Sequence, residues 1–180
     1  MKELVDPHHK FVEDYGSLVK VIEGLRLLQC QIVLTVGTWD MLHIGHLRYL
    51  EKAKSQGDIL IVGVDTDEVV KQCKGTLRPI VPFKERCEML TYQSCVDLVS
   101  PLDDLDCKGN WKYGLVRRVK PDVFVAEETS YSDNQLADIQ KHCGKLEVLP
   151  RQALGTSTSL MVQETVKKHI EEMYKLATKR

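Results

Sequence analysis

Residues 32–50 read IVLTVGTWDMLHIGHLRYL, which combines a strand pattern, a glycine-containing turn and the start of a helix. The first five residues are apolar or β-branched, the pattern of a strand that is buried on both faces of a parallel sheet. Gly37 ends this run, and the apolar spacing that follows predicts a helix over 45–55. A strand that leads through a short loop into a helix is the repeating unit of α/β folds.

The alternation of strand and helix patterns continues along the chain. Further strands are predicted over 58–64, 96–99, 123–126 and 146–149, with helices over 66–73, 83–92, 111–119 and 134–143. A helix with Ser17 as its N-cap precedes the first strand, and an amphipathic helix over 158–178 follows the last one. The predicted fold class is α/β: a Rossmann-like parallel sheet of about five strands with helices on both faces, plus an N-terminal and a long C-terminal helix.

Composition excludes several classes of protein. The chain has 180 residues, of which 43% are hydrophobic and 28% charged, which is typical of one globular domain. Its 25 Lys and Arg against 26 Asp and Glu give a net charge of -1, so no overall field attracts nucleic acid or an anionic membrane. No apolar run is long enough to span a membrane and the start has no apolar signal core, so a cytoplasmic protein is predicted.

The cysteines predict reduced thiols, because none of them forms a Cys-x-x-Cys pair. A zinc knuckle is therefore excluded, and no resident metal site is predicted. The six cysteines are Cys30, Cys73, Cys87, Cys95, Cys107 and Cys143.

Two histidines stand at the start of the helix that follows the first strand. Backbone N–H groups are unpaired in the first turn of a helix, and the helix dipole is positive there, so this position suits a phosphate. His43 and His46 can face one anion from here, and Gly45 lets the anion approach the backbone closely. For a single histidine the alternative is a helix cap or a core residue.

The chain resembles the cytidylyltransferase-like nucleotidyltransferases over about residues 31–170. The resemblance rests on three ordered motifs: Gly37-Thr38-Trp39-Asp40, His43-Ile44-Gly45-His46 and Gly155-Thr156-Ser157-Thr158-Ser159. It implies that a substrate phosphate attacks the α-phosphorus of a nucleoside triphosphate and releases pyrophosphate, with Mg²⁺ accompanying the triphosphate. It also implies an N-terminal helical extension over 1–30 before a nucleotidyltransferase domain over 31–180.

The resemblance implies two sets of site residues. The catalytic set is His43, His46 and Lys74. The nucleotide-binding set is Gly37, Thr38, Trp39, Asp40, Gly45, Arg86, Arg151, Ser157 and Thr158. Within that set, Asp40 is expected to orient the site or to help hold Mg²⁺.

The segment from Lys74 to Arg86 resembles the nucleotidyltransferase domain of ADP-heptose synthases. That match implies that Lys74 closes over the phosphates on a flexible loop and that Arg86 anchors the site from the next helix, with Arg78 a further candidate. Ser157 and its neighbours open the last helix and are expected to form a second anion cradle. Arg151 stands one residue farther from this motif than the arginine of glycerol-3-phosphate cytidylyltransferases.

Two departures leave the substrates open. Ser94 stands where glycerol-3-phosphate cytidylyltransferases have an arginine, and Glu127 and Glu128 stand where the relatives tend to have Gly with Asp. These carboxylates would accept from a base amino group or a sugar hydroxyl, or face solvent. The donor is therefore CTP or ATP, and the acceptor is a sugar phosphate or polyol phosphate; the alternatives are glycerol 3-phosphate, choline phosphate and ethanolamine phosphate.

Other functions fit the sequence less well. The motif His43-Ile44-Gly45-His46 also occurs in class I aminoacyl-tRNA synthetases, but this chain has neither their length nor a Lys-Met-Ser-Lys-Ser-like segment. A non-catalytic nucleotide-binding module is disfavoured by the intact His, Lys and Ser/Thr set. We expect no nucleic-acid or membrane partner, and we expect a homodimer in which the flanking helices meet a second subunit.

Overall fold

The computed structural model describes residues 6, 8–106 and 109–178. Its strands are β1 (Ile32–Gly37), β2 (Ile59–Asp65), β3 (Leu98–Leu102), β4 (Val123–Glu127) and β5 (Lys145–Leu149). Its helices are α1 (Tyr15–Leu27), α2 (Ile44–Lys54), α3 (Asp67–Lys74), α4 (Phe83–Thr91), α5 (Gly114–Val119), α6 (Asp133–Gln140) and α7 (Thr158–Thr178).

The five strands form one parallel sheet in the order β3-β2-β1-β4-β5. This confirms the predicted α/β class and the predicted number of strands. The chain moves outward in one direction from β1 to β3 and then crosses to β4 on the other side of β1. The loops after β1 and β4 therefore diverge, which opens a crevice at the carboxyl edge of the sheet.

Each face of the sheet carries its own hydrophobic core. Val33 points to the face covered by α2 and α4, while Ile32 and Leu34 point to the face covered by α1, α5 and α6. All three side chains are fully buried. Burial on both faces explains why β1 is a continuous apolar run, and it fixes the direction in which the loop after β1 leaves the sheet.

Several predicted boundaries are wrong, and local contacts or backbone conformation explain three of them. Asp14, rather than Ser17, caps α1, because its carboxylate accepts the Ser17 N–H at 2.6 Å. The strand predicted from residue 96 begins at 98, since the Val96 N–H closes a turn onto the Gln93 carbonyl. The helix predicted from residue 111 begins at 114, because Tyr113 is left-handed with φ of 58°.

The N-terminal segment packs on the sheet. Helix α1 buries Leu18 and Ile22 in the second core. Ahead of it, the Val99 N–H donates to the Lys10 carbonyl and the Val12 N–H donates to the Val99 carbonyl, both at 2.8 Å. These bonds cover the outer edge of β3, which would otherwise present unpaired backbone groups.

Two further features concern the described residues alone. The five cysteines among them form no disulfide with one another, while Cys107 lies outside the described ranges. No helix in those ranges combines the length and the apolar character needed to cross a membrane.

Candidate active site

A cavity of about 660 Å³ opens at the carboxyl edge of the sheet, between the loops after β1, β2 and β4 and the start of α7. It brings together all but one of the predicted site residues. Its lining includes Gly37, Thr38, Trp39, Asp40, His43, Gly45, His46, Lys74, Arg151, Ser157 and Thr158. Arg86 does not line it.

His43 is both the N-cap of α2 and a wall of the cavity. Its Nδ1 accepts the Gly45 N–H at 3.1 Å, which satisfies one donor of the first turn. Because Nδ1 accepts, the proton of the neutral ring lies on Nε2, which is then a donor for a ligand. The cap and the phosphate-binding hypotheses for this residue are therefore compatible.

His46 stacks on His43, with ring centroids 3.9 Å apart and ring planes 18° from parallel. Its Nδ1 is buried and has no hydrogen-bond partner among the described residues. Burial, followed by the nearby positive charges of His43 and Lys74, lowers the pKa of His46 to about 4. A buried polar atom that is unpaired at a cavity wall is one that a ligand would satisfy.

Nucleotide binding should be coupled to proton uptake at His46. The free imidazole is neutral above about pH 4, and a phosphate beside it would favour the charged form and raise its pKa. Between pH 4 and the raised pKa, binding takes up a proton, so affinity falls as the pH rises through that value. Titration calorimetry near pH 6 in two buffers of different ionisation enthalpy should show this uptake.

The matched variant for this measurement is His46→Asn, which keeps a polar group of similar reach but does not titrate in this range. The nucleotide's own phosphate protonation is common to both proteins and cancels in the comparison. Equal proton uptake by the parent protein and the variant would contradict the assignment.

Trp39 and the glycines shape the loop rather than offering open contact surface. Trp39 is buried, has φ of 55° and donates from Nε1 to the Gly63 carbonyl at 2.9 Å. A Cβ at Gly37 would meet the Trp39 ring at 3.3 Å, and one at Gly45 would meet the His43 ring at 3.0 Å. The Trp39 ring stands edge-on to His46 at 5.6 Å and so supports that imidazole.

Asp40 holds the loop that precedes α4. Its carboxylate accepts from Arg78 Nε at 2.8 Å, from the Ile80 N–H at 3.0 Å and from the Val81 N–H at 2.9 Å. Burial alone would raise the pKa of Asp40, but these donors outweigh it and the pKa lies below its ordinary value. Both oxygens are occupied, so the geometry supports a loop anchor better than the predicted magnesium ligand.

Lys74 faces the cavity from the last residue of α3, where Gly75 with φ of 90° ends the helix. Partial burial lowers the pKa of the Lys74 ammonium, and the charge of Asp65 partly offsets that effect.

Asp65 also lines the cavity, and its carboxylate accepts a hydrogen bond from the Thr38 hydroxyl at 2.9 Å. Burial raises the pKa of Asp65 despite this bond. Sequence reasoning missed Asp65, although it ends the strand next to β1.

Replacing Lys74 by alanine should weaken nucleotide binding by about 10- to 100-fold, the value of one hydrogen bond to a charged group. Calorimetric titration with nucleotide measures the effect. Lys71→Ala is the matched control, because Lys71 belongs to the same helix but does not line the cavity. Equal affinity in the two variants would make Lys74 an ordinary surface residue.

Arg86 is fully buried, and all three nitrogens of its guanidinium donate hydrogen bonds to other residues of the chain. Its guanidinium donates to the carbonyls of Thr38, Val81 and Asp65 and to the Asp67 carboxylate. These partners lie after β1, at the end of β2, at the start of α3 and before α4. The structure therefore places the predicted nucleotide contact behind the cavity wall, where it joins the segments that form the site.

The start of α7 closes the cavity on the side of the histidines. The Thr158 hydroxyl donates to the Asp40 carbonyl at 2.6 Å, and the Ser157 hydroxyl accepts the Leu160 N–H at 3.2 Å. Arg151 also lines the cavity, and its charge adds to burial in lowering the pKa of His43. The motif thus caps a helix and ties it to the loop after β1.

The opposite side of the cavity is aromatic and acidic. Trp111 stacks on Tyr131 at 5.8 Å, and its indole Nε1 is buried without a partner among the described residues. Glu127 accepts from the hydroxyls of Thr129 at 2.8 Å and Ser130 at 3.0 Å through Oε2, while its buried Oε1 has no described partner. Trp111 and Tyr131 were not anticipated from the sequence.

Comparison with known proteins identifies the family of this chain. The family model described as cytidylyltransferase-like matches residues 34–174. The bifunctional protein HldE of Helicobacter pylori (strain HPAG1) is 36% identical over 152 residues, which cover 84% of this chain and 31% of the relative. HldE of a Nitratiruptor species is 39% identical over 119 residues, 66% of this chain and 25% of the relative. The chain thus spans less than a third of these relatives.

Solved structures share the fold. The lipopolysaccharide core biosynthesis protein from Thermoplasma volcanium GSS1 has a TM-score of 0.54 and 24% identity, over 68% of this chain and 96% of that one. Pantoate-beta-alanine ligase from Francisella tularensis has a TM-score of 0.54 and 17% identity, over 79% of this chain and 67% of that one. The family match covers most of the chain and includes all three motifs, and this chain belongs to the cytidylyltransferase-like family of nucleotidyltransferases.

Proposed function

We propose that this enzyme transfers a nucleoside monophosphate from ATP or CTP to a phosphorylated small molecule, with a sugar phosphate as the first acceptor class. The observation that carries the proposal is the stacked pair His43 and His46 at the start of α2, which faces the same cavity as Lys74 and the start of α7. These groups converge on one space from three elements, as an extended polyanion requires.

The reaction needs positioning and charge neutralisation more than covalent chemistry. An oxygen of the acceptor phosphate attacks the α-phosphorus, the bond from the α-phosphorus to the bridging oxygen breaks, and pyrophosphate leaves with the electron pair. His43 Nε2, the first N–H groups of α2 and the Lys74 ammonium would donate to the phosphate oxygens. Donors of this kind stabilise the charge that develops in the transition state.

Magnesium is proposed to enter with the triphosphate as part of the substrate. Mg²⁺ commonly binds through substrate phosphates and only one or two carboxylates, so a dedicated cage of side chains is not required. In the described part of the chain no group of three or more His, Cys, Asp and Glu side chains is placed to hold a metal ion. Among the cavity carboxylates, Asp65 raises the pKa of Lys74 most strongly through its charge. Asp65 is therefore the first candidate for contact with the complex of magnesium and triphosphate.

The similarity to HldE and the match of the Lys74–Arg86 segment to ADP-heptose synthases support ATP and a sugar 1-phosphate as the first pair to test. Glu127 Oε1 can only accept, so it would bind a hydroxyl of a sugar or the amino group that adenine and cytosine share.

A second acceptor class is supported by the aromatic side of the cavity. Trp111 and Tyr131, which stack at 5.8 Å, line the cavity together with the acidic residues Asp104 and Glu127. Aromatic faces with carboxylates bind alkylammonium groups well. This favours choline phosphate or ethanolamine phosphate as the alternative acceptor, with CTP as the donor.

Pyrophosphate release with Mg²⁺ tests the proposal, with ATP and CTP each paired with sugar 1-phosphates, glycerol 3-phosphate, choline phosphate and ethanolamine phosphate. A signal that depends on one pair and is lost in His46→Ala would identify both substrates. Nucleotide binding without turnover on any pair would favour the non-catalytic module, and absence of binding would contradict the proposal.

A further inference from the structure

The aromatic and acidic side of the cavity holds two buried polar atoms that have no partner in the described part of the chain. One is the indole Nε1 of Trp111 and the other is Oε1 of Glu127, and both residues line the cavity. An indole N–H only donates a hydrogen bond, and a carboxylate oxygen only accepts one. Because an unpaired buried polar atom is costly, this donor and this acceptor indicate which groups a bound ligand must supply.

The two glutamates at the end of β4 have different partners. Glu127 Oε2 accepts from the hydroxyls of Thr129 and Ser130, which orients the carboxylate and leaves Oε1 for a ligand. Glu128 does not line the cavity, and its Oε1 accepts the Arg151 N–H at 3.2 Å. Of these two carboxylates, Glu127 is therefore the one placed to contact a ligand.

Aromatic neighbours hold the ring of Trp111. The ring centroid of Tyr113 lies 4.4 Å from it and that of Tyr131 lies 5.8 Å from it. The Tyr131 hydroxyl donates to the Val36 carbonyl at 3.4 Å. A nucleobase or a quaternary ammonium group binds an aromatic side chain through its ring face. Because these rings pack on one another, the unpaired group that Trp111 offers to a ligand is its indole N–H.

Only some ligand groups can pair with both atoms. A hydroxyl group accepts and donates, so neighbouring hydroxyls of a sugar or polyol satisfy the indole N–H and the carboxylate together. The quaternary ammonium of choline neither donates nor accepts, and the ammonium of ethanolamine only donates. The amino edge of adenine or cytosine does both, so contact with the base is the alternative that an experiment must separate.

We propose that Trp111 and Glu127 select the acceptor by binding hydroxyl groups of a sugar phosphate or polyol phosphate. This inference rests on the proposed function, and it chooses the hydroxylated acceptors over the alkylammonium class. A site that hydrogen-bonds a substrate hydroxyl discriminates strongly against an analogue that lacks it, because the polar atoms of the site are then left unpaired. Both residues determine specificity, while the groups around His43 and His46 serve the transfer itself.

The indole N–H signal of Trp111 reports on this contact without turnover. The chain has two tryptophans, and in spectra of the ¹⁵N-labelled full chain the indole signal that is missing from Trp111→Phe belongs to Trp111. With α,β-methylene ATP or α,β-methylene CTP bound, glycerol 3-phosphate or a sugar 1-phosphate should shift this signal. Choline phosphate and ethanolamine phosphate should leave it in place.

The spectra distinguish failure of this inference from failure of the proposed function. A nucleotide that binds while no hydroxylated phosphate shifts the Trp111 signal overturns the inference and leaves the proposed function standing. Choline phosphate as the ligand that shifts it also overturns the inference. Absence of binding by either nucleotide analogue contradicts both.

Kinetics separate the acceptor from the base. Trp111→Phe keeps an aromatic ring without the N–H, and Glu127→Gln replaces one carboxylate oxygen by a donor. Each should lower kcat/KM for the hydroxylated acceptor by about 10- to 100-fold, the effect of leaving a buried hydrogen-bonding group unpaired. The KM for the nucleotide should stay within about threefold of the parent value, because the N–H donors of α2 remain.

Glu147→Gln is the matched control, since Glu147 lies on the neighbouring strand β5 and outside the cavity lining. A loss confined to the acceptor in both Trp111→Phe and Glu127→Gln supports the proposal. Equal kcat/KM in Glu127→Gln and Glu147→Gln overturns it, and so does a loss confined to the nucleotide, because the pair would then bind the base.

Discussion

Replacing His46 by alanine is expected to lower kcat by about 10²–10³-fold, the scale of losing one donor that stabilises transition-state charge. The expectation follows from the position of the ring, which stacks on His43 at 3.9 Å and has a buried nitrogen without a described partner. Its removal leaves the backbone donors of α2 in place, so nucleotide affinity should fall less than turnover. Initial rates of pyrophosphate release over a range of nucleotide concentrations separate the two effects.

His43→Ala provides an informative comparison because His43 also caps α2. It should lose a similar factor in kcat and, in addition, about 0.5–2 kcal/mol in the free energy of unfolding. His142→Ala is the matched control, since His142 lies outside the cavity lining. If His46→Ala retained activity within threefold of the His142→Ala control, its catalytic role would be excluded.

Arg86→Met should reduce the free energy of unfolding by about 3–5 kcal/mol, the usual cost of removing one partner from a buried ion pair. Arg86 is 0% exposed and bonds to three carbonyls as well as to Asp67. Its removal leaves those carbonyls and the Asp67 carboxylate without that donor. For a chain of this size the midpoint of thermal unfolding should fall by about 6–20 °C.

Nucleotide affinity distinguishes this structural role from the direct contact expected from the sequence. At a temperature where Arg86→Met is still folded, its dissociation constant for nucleotide should lie closer to the parent value than that of Lys74→Ala. Arg86→Lys keeps the charge but not the planar fork, so it should recover only part of the stability. A stable Arg86→Met protein that has lost nucleotide binding would show that Arg86 contacts the ligand.

The fold could be predicted because its signals are local. Strand β1 is a short apolar run and α2 has regular apolar spacing, so their types and order follow from periodicity alone. The position of His43 and His46 follows in the same way, since a strand, a short loop and a helix start fix where the first turn lies. The predicted helix and strand boundaries are wrong where the backbone conformation of a single residue determines the boundary, as at Tyr113 before α5.

The roles of Asp40 and Arg86 could not be predicted, because each depends on partners distant in sequence. The Asp40 carboxylate meets donors about forty residues away, and the Arg86 guanidinium reaches back to the Thr38 carbonyl. A charged residue near such a loop can either bind the ligand or hold the loop in place. Only its contacts in the folded chain show which of these roles it has. The cavity positions of Trp111 and Tyr131 could not be predicted either, because the two rings meet only in the folded chain and are twenty residues apart in the sequence.

Label transfer tests most directly the central claim that the α-phosphorus is attacked. Nucleotide labelled with radioactive phosphorus at either the α-position or the γ-position is incubated with Mg²⁺ and the acceptor identified by pyrophosphate release. We expect the α-label to appear in the acceptor-linked product and the γ-label in pyrophosphate, and we expect both to appear more slowly with His46→Ala. Transfer of the γ-label to the acceptor, or release of inorganic phosphate alone, would contradict it.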